Sequence, residues 1–371
     1  MRGGREQSNV GPAASRPAMS MKSERRFFAP AGAAGRRAAC PTWACVFGLG
    51  FLCLRLCSAF AASPITALAF SPDGQSLASA GRRVITLREI AKPNRVTTLE
   101  TDLPKITSLV FHPHGGLLGV AGGTPGVAGT ALLLRLNDGS EIARWTNATD
   151  LASAMAFDGA GQQLAVAAES TVRLYRWETP RPVLRHEFAG HVGAVFGVAF
   201  SPDGTLLVSA GRDRSVKVWS TTEGRLLRSF SHHTEAIHAV AFRPVQAEAT
   251  GPFACATAGD DRTVRIWQPA LGRMVRIVRG HESGVLSLAY AADGRALFTA
   301  GNEGIIRRVD ADSDTIQHAW RASDDWVYTL AVSSDGKHLA TGDWAGSVAL
   351  WTPEGVLRGH FAPTAATSPP P

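Results

Sequence analysis

Histidine is the side chain best suited to acid–base or metal chemistry near neutral pH, and this 371-residue sequence contains eleven. His112-Pro113-His114 could bring two imidazoles to one metal ion, provided that further donors converge. None of the eleven has Cys, Asp or Glu at a supporting spacing, and Pro113 and Gly115 mark the pair as part of a solvated hairpin turn. His232-His233 is a second pair without further donors. The carboxylate pairs Asp260-Asp261 and Asp324-Asp325 could serve as general acid and base, but both fall in loops, where a structural or solvated role is expected. There is no C-x-x-C-H haem attachment, no G-x-x-x-x-G-K-S/T phosphate cradle and no G-x-S-x-G nucleophile elbow. No catalytic residue, metal or cofactor is expected.

The elements that carry these residues follow from composition and pattern. A formal charge of +7 invites nucleic acid, but its distribution argues against it. Residues 1–62 hold nine Lys or Arg and two acids, so the remainder balances 29 bases with 29 acids. No basic stripe is left for phosphate, and nucleic-acid binding is not expected. Four of the five cysteines lie in the same leader. Cys255, in Phe253-Ala254-Cys255-Ala256, is left alone and reads as a small buried hydrophobe.

The leader, residues 1–61, has the parts of a secretory signal. A basic region ending in Arg36-Arg37 precedes an apolar run, Trp43 to Leu54, and then Ala59-Phe60-Ala61 as a cleavage site. The run is short for a spanning helix, and Arg55 interrupts its extension. Export to the periplasm, the cell surface or the medium is therefore expected. An uncleaved anchor, with Arg55 reaching to an interface, is the alternative and the sole route to a membrane.

From Ser63 onward a unit of about 44 residues recurs seven times, the range expected of a four-stranded propeller blade. First strands are alternating apolar runs, such as Val195 to Phe200, and each leads into a turn of the Ser201-Pro202-Asp203-Gly204 type. Second strands end at glycine, third strands read like Val216-Lys217-Val218-Trp219, and fourth strands are more polar. The reading is an all-β, seven-bladed propeller of four-stranded antiparallel blades at residues 63–361. Blade boundaries fall at about 63–100, 101–145, 146–188, 189–230, 231–278, 279–320 and 321–361, with a disordered tail at 362–371. No spare strand remains to be exchanged between the termini, so blade one should close against blade seven by packing, unless Ser58 to Ala62 is retained and pairs.

On these residues the sequence resembles the WD-repeat family, most closely in blades four and five, and its Ser-Pro-Asp-Gly turns resemble those of bacterial members. The resemblance implies a structural hydrogen-bonded tetrad in each of those two blades: His191, Ser209, Asp213 and Trp219, then His233, Thr257, Asp261 and Trp267. Blade six keeps His281 and Thr299 but has Glu303 and Val309 in place of Asp and Trp. Blade seven has Trp351 but Ser323 in place of the histidine. Blades one to three lack the set, with Arg88, Arg135 and Tyr175 near the Trp position, and should rely on packing.

The resemblance also implies a docking face at the loops before the first strand and before the Asp position. Carrying that offset around the ring selects Thr66, Thr107, Ser153, Phe196, His238, Leu286 and Tyr328. The large residues among them, with Arg212, Trp326 and Trp344, form the candidate partner-binding face. The function expected is a non-catalytic scaffold for protein or peptide partners outside the cytoplasm. A propeller enzyme, lactonase-like hydrolase or dehydrogenase, would need donors converging on the central channel. An intracellular assembly scaffold follows if the leader is not an export signal.

Overall fold

The turn after each first strand sets the local geometry. Ser201 Oγ donates to Asp203 Oδ1 at 2.5 Å and accepts the Leu206 N–H at 2.9 Å, while the Gly204 N–H donates to the Ser201 carbonyl at 2.8 Å. Gly204 has φ of 70°, a left-handed conformation that a Cβ would make costly. The corresponding Gly74, Gly161, Gly294 and Gly336 adopt it too. The blade-four hairpin is thus closed by residues two, three and five apart, before any contact between blades.

The computed structural model describes residues 63–147, 149–178, 181–245 and 251–362. These residues form seven four-stranded antiparallel sheets, each drawn from consecutive strands in the order first, second, third, fourth. Blade four, for instance, comprises Val195–Phe200, Leu206–Gly211, Val216–Ser220 and Leu226–Phe230. Each first strand packs against the first strand of the next blade, and that of blade seven, Val327–Val332, against that of blade one, Ala67–Phe70. The leader of residues 1–61, with its apolar run, and the tail beyond Ala362 lie outside the described residues. Among the described residues no helix is long and apolar enough to cross a membrane.

One register pair repeats between blades. The last core residue of each fourth strand meets the Trp position of the next blade's third strand. Phe188 stacks on Trp219 and Phe230 on Trp267, both with centroids 5.0 Å apart. Trp145 meets Tyr175 at 4.8 Å, and Trp320 meets Trp351 at 6.3 Å. Leu99 shares a core cluster with Leu134, and Val278 shares one with Val309. The pairing Leu118↔Leu134 puts Leu134, one residue before Arg135, in register with Trp219 (paired Leu207↔Trp219). Leu134 is buried and Arg135 exposed, so the apolar side chain holds the Trp position in blade two.

The seventh such pair closes the ring by packing. The Arg88 guanidinium lies over the Phe361 ring, 4.2 Å from its centroid. Leu68 and Leu77 of blade one share a core with Ala340, Val348 and Leu350 of blade seven. Among the described residues two hydrogen bonds join the blades here, Ile65 N–H to the Asp343 carbonyl at 3.0 Å and the Ser334 hydroxyl to the Pro72 carbonyl at 2.6 Å.

Candidate functional site

In blade four the four polar residues form one chain of hydrogen bonds. His191 Nδ1 lies 2.9 Å from Asp213 Oδ2, and His191 Nε2 lies 2.8 Å from Ser209 Oγ. The Trp219 indole N–H donates to the same hydroxyl at 2.8 Å. Blade five repeats it: His233 is 2.8 Å from Asp261 and 2.8 Å from Thr257, and Trp267 donates to Thr257 at 2.8 Å. The carboxylates also accept backbone N–H groups, Val192 at 3.0 Å on Asp213 and Thr234 at 3.2 Å on Asp261.

A carboxylate on Nδ1 and a hydroxyl on Nε2 is the connectivity of an acyl-transfer triad. Here the hydroxyl cannot act as a nucleophile. Ser209 and Thr257 are fully buried, and the oxygen that would attack already accepts an indole N–H. Burial lowers the pKa of both histidines despite the carboxylate beside each, which keeps the rings neutral. Burial also opposes charge on Asp213 and Asp261, but the hydrogen bonds they accept outweigh it and hold both below the usual carboxylate range. The network ties strands together and offers a substrate no access.

Blades six and seven carry fragments of it. His281 Nε2 is 2.9 Å from Thr299 Oγ1, but Nδ1 is buried without a partner. In blade seven Trp351 donates to Thr341 at 3.1 Å and Ser323 Oγ to Asp343 at 2.8 Å, with no imidazole to join them. Blades two and three replace both Ser and Trp together, by Val120 and Leu134 and by Val166 and Tyr175. Losing both partners strands neither, which is why the exchange is tolerated.

The other histidine pair is occupied as well. The ring nitrogens of His112 contact the Gly161 carbonyl at 3.0 Å and the His114 N–H at 3.2 Å. His114 Nε2 reaches the Ala160 carbonyl at 3.2 Å. These rings line a cleft of about 580 Å³ with Arg176 and Trp177, and they fasten blade two to the turn of blade three. Among the described residues no three His, Cys, Asp or Glu side chains cluster as metal ligands. Cys255 is fully buried, and burial pushes its thiol pKa up, so it is not a nucleophile.

The rim of one mouth of the ring is different. Thr107, Ser153, Phe196, His238, Leu286 and Tyr328 all sit at β-bulges, skipped in the register of first against second strand. A bulge re-aims its side chain away from the ladder. In blades one to three a hydroxyl is presented, and it bonds to the next blade: Thr66 to the Ile106 carbonyl, Thr107 to Ala152 and Ser153 to Val195. In blades four to seven the residue is large and no such latch forms.

The candidate face resolves into two clusters. Phe196 stacks on His238 across blades four and five, centroids 5.4 Å apart at 14°, and His238 Nε2 stands 2.9 Å from Asp260 Oδ2. On blade seven Tyr328 stacks on Trp344 at 5.4 Å, and Trp326 lies 6.1 Å and 6.0 Å from them. Leu286 occupies the bulge between the clusters, and Arg212 is exposed in the blade-four turn beside Gly193. Trp326 and Trp344 are 44% and 48% exposed, unusual for indole rings. Asp325, which the sequence marks as a loop carboxylate but does not place on this face, accepts the Trp326 N–H at 2.8 Å. Its place immediately before the exposed tryptophan was the available signal.

Comparison with known proteins agrees with this architecture. The chain is 30% identical over 195 residues to target of rapamycin complex subunit LST8 of Saccharomyces cerevisiae, covering 51% of this chain and 62% of that protein. It is 26% identical over 167 residues to small ribosomal subunit protein RACK1 of Neurospora crassa, covering 43% and 51%. An uncharacterised WD repeat-containing protein of Synechocystis is 37% identical over 92 residues, covering 24% and 26%. The chain thus spans less than two thirds of the length of each of these relatives. Residues 52–85, 182–220, 224–268, 272–310 and 314–352 match the model of the WD domain, G-beta repeat. The last four matches run from a fourth strand to the third strand of the next blade, straddling the pair that joins blades. They include both complete tetrads, and with matches over just over half its length the chain belongs to the WD-repeat family.

Proposed function

We propose that this propeller is a non-catalytic scaffold that binds protein or peptide partners at the mouth lined by the bulges of blades four to seven. The observation that carries this reading is the contrast around one rim. Hydroxyls latch blades one to three to their neighbours, while Phe196, His238, Leu286 and Tyr328 present large side chains beside exposed Trp326 and Trp344. Aromatic residues and Arg gathered at a rim are the composition of interaction hot spots. The names of LST8 and RACK1, a subunit of a complex and a protein of the small ribosomal subunit, support a role within assemblies. The basic leader and apolar run support placing the scaffold outside the cytoplasm, exported or anchored.

Affinity capture with the full chain and with Trp326→Ala/Tyr328→Ala tests the reading. The double variant is expected to lose specific partners while its thermal melt stays within about 3 °C of wild type, as for surface changes. Retention of every partner would sink the proposal. A collapsed melt would assign these rings to packing between blades instead.

A further inference from the structure

The blade-seven cluster has a chemistry of its own, which narrows the binding reading above and rests on it. Its rings are held in place by the backbone. The Trp344 N–H donates to the Trp326 carbonyl at 2.9 Å, joining the turn after the second strand to the segment before the first. Asp325 Oδ1 caps the Trp326 N–H, and Ser323 Oγ, bonded to Asp343, accepts the Asp325 N–H at 3.1 Å. Little ordering remains to be done on binding.

The faces of these rings are electron-rich, and two carboxylates directly precede Trp326 in the chain. Asp324 is exposed and Asp325 partly so, directly before Trp326. Burial and the Asp325 charge together raise the Tyr328 pKa, so its hydroxyl stays neutral. The nearby Arg321 is directed elsewhere, to the carbonyls of Glu303 at 3.5 Å and Ser323 at 3.3 Å. Among the described residues the cation over a ring is Arg88 on Phe361, at the blade-one seam rather than in this cluster. Aromatic faces with adjacent carboxylates attract a cation and repel phosphate or a carboxylate ligand. We infer that Trp326, Tyr328 and Trp344, flanked by Asp324 and Asp325, receive a basic side chain, arginine or lysine, from a protein partner.

The test uses the full chain and four fluorescein-labelled peptides of Gly and Ser that differ only in a central Arg, Lys, Leu or Glu. The Arg and Lys peptides are expected to bind at least roughly threefold more tightly than the Leu and Glu peptides, the range of a solvent-exposed cation–π contact. Asp325→Asn, which keeps the N–H acceptor and removes the charge, should reduce that advantage. Trp344→Ala should abolish it and Trp344→Phe retain it, with near-ultraviolet circular dichroism to verify the fold. An advantage below threefold, absence of binding by every peptide, tighter binding of an oligothymidylate, or an advantage unchanged in Trp344→Ala overturns the inference. If the peptides fail while Trp326→Ala/Tyr328→Ala still loses captured partners, the binding surface stands and only its ligand class falls.

Discussion

At the scale of single residues, His281 shows what the complete tetrads achieve. Its counterparts each have a carboxylate on Nδ1, but Glu303 accepts the Glu282 and Ser283 N–H groups at 2.6 and 3.0 Å and pairs with Arg307 at 2.5 Å. Burial first, and then the Arg307 charge, lowers the His281 pKa to about 4. Its ordinary value is 6.5, so between those limits the unfolded chain binds a proton that the native ring refuses. Stability is complete above pH 6.5 and declines as pH falls toward 4, by up to ~3 kcal/mol. His191 and His233 are shifted in the same direction and add to the decline. Urea melts between pH 7.5 and 4.5 should therefore show a shallower pH dependence in His281→Gln than in the wild type. Equal slopes would mean that His281 is readily protonated in the folded state. The residue types of the tetrad could be found in the sequence because they recur at nearly fixed offsets. That Glu303 pairs with Arg307 and leaves His281 Nδ1 without a partner could not, because it is set by the folded geometry rather than by the presence of a carboxylate at that position.

At the scale of strands and turns, the repeat was legible because it is written locally. In blades one and four Ser, Pro, Asp and Gly close the hairpin through contacts a few residues apart, and a tryptophan marks the end of several third strands. The bulge was not legible, since it is a mismatch between two strands rather than a feature of either. The offset of Arg135 from Leu134 has a related cause: the second and third strands of blade two each run eight residues, Leu117–Thr124 and Ala128–Arg135, so the hairpin extends further. The hydroxyl latches at the bulges link blades that are 40 to 45 residues apart in sequence. Thr107→Val and Ser153→Ala remove a latch while leaving the strands intact. Each should cost about 0.5–1.5 kcal/mol by chemical denaturation. Losses below about 0.3 kcal/mol would reduce the latches to incidental contacts.

At the scale of the whole ring, the contacts between blades are not uniform around the circle. Six of the seven repeated contacts between a fourth strand and the following third strand are aromatic or aliphatic pairs, and Phe188–Trp219 and Phe230–Trp267 are backed by complete tetrads. The seventh joins residues 273 apart in sequence, Arg88 and Phe361, where a partly buried guanidinium takes the place of an indole. Burial lowers the Arg88 pKa, a sign that the charge is held there at a cost in desolvation, and its Nη1 also donates to the Pro93 carbonyl at 2.5 Å. Among the described residues no strand crosses the seam, because all seven sheets are drawn from consecutive strands. Opening there would break the apolar core shared by Leu68, Leu77 and Leu350 and the bonds at Ile65 and Ser334, but no ladder. Local opening follows the least protected interface. Amides of Val96–Glu100 and Leu357–Phe361, the fourth strands on either side of the Arg88–Phe361 pair, should therefore exchange ahead of those of Leu226–Phe230 and Arg273–Val278, the same strands in blades four and five. Arg88→Ala should lower protection at the seam by roughly two- to fivefold, the worth of an exposed cation–π pair, and leave blades four and five unchanged. Uniform exchange around the ring, or a loss spread evenly over all blades, would show instead that the seven contacts open as one cooperative unit.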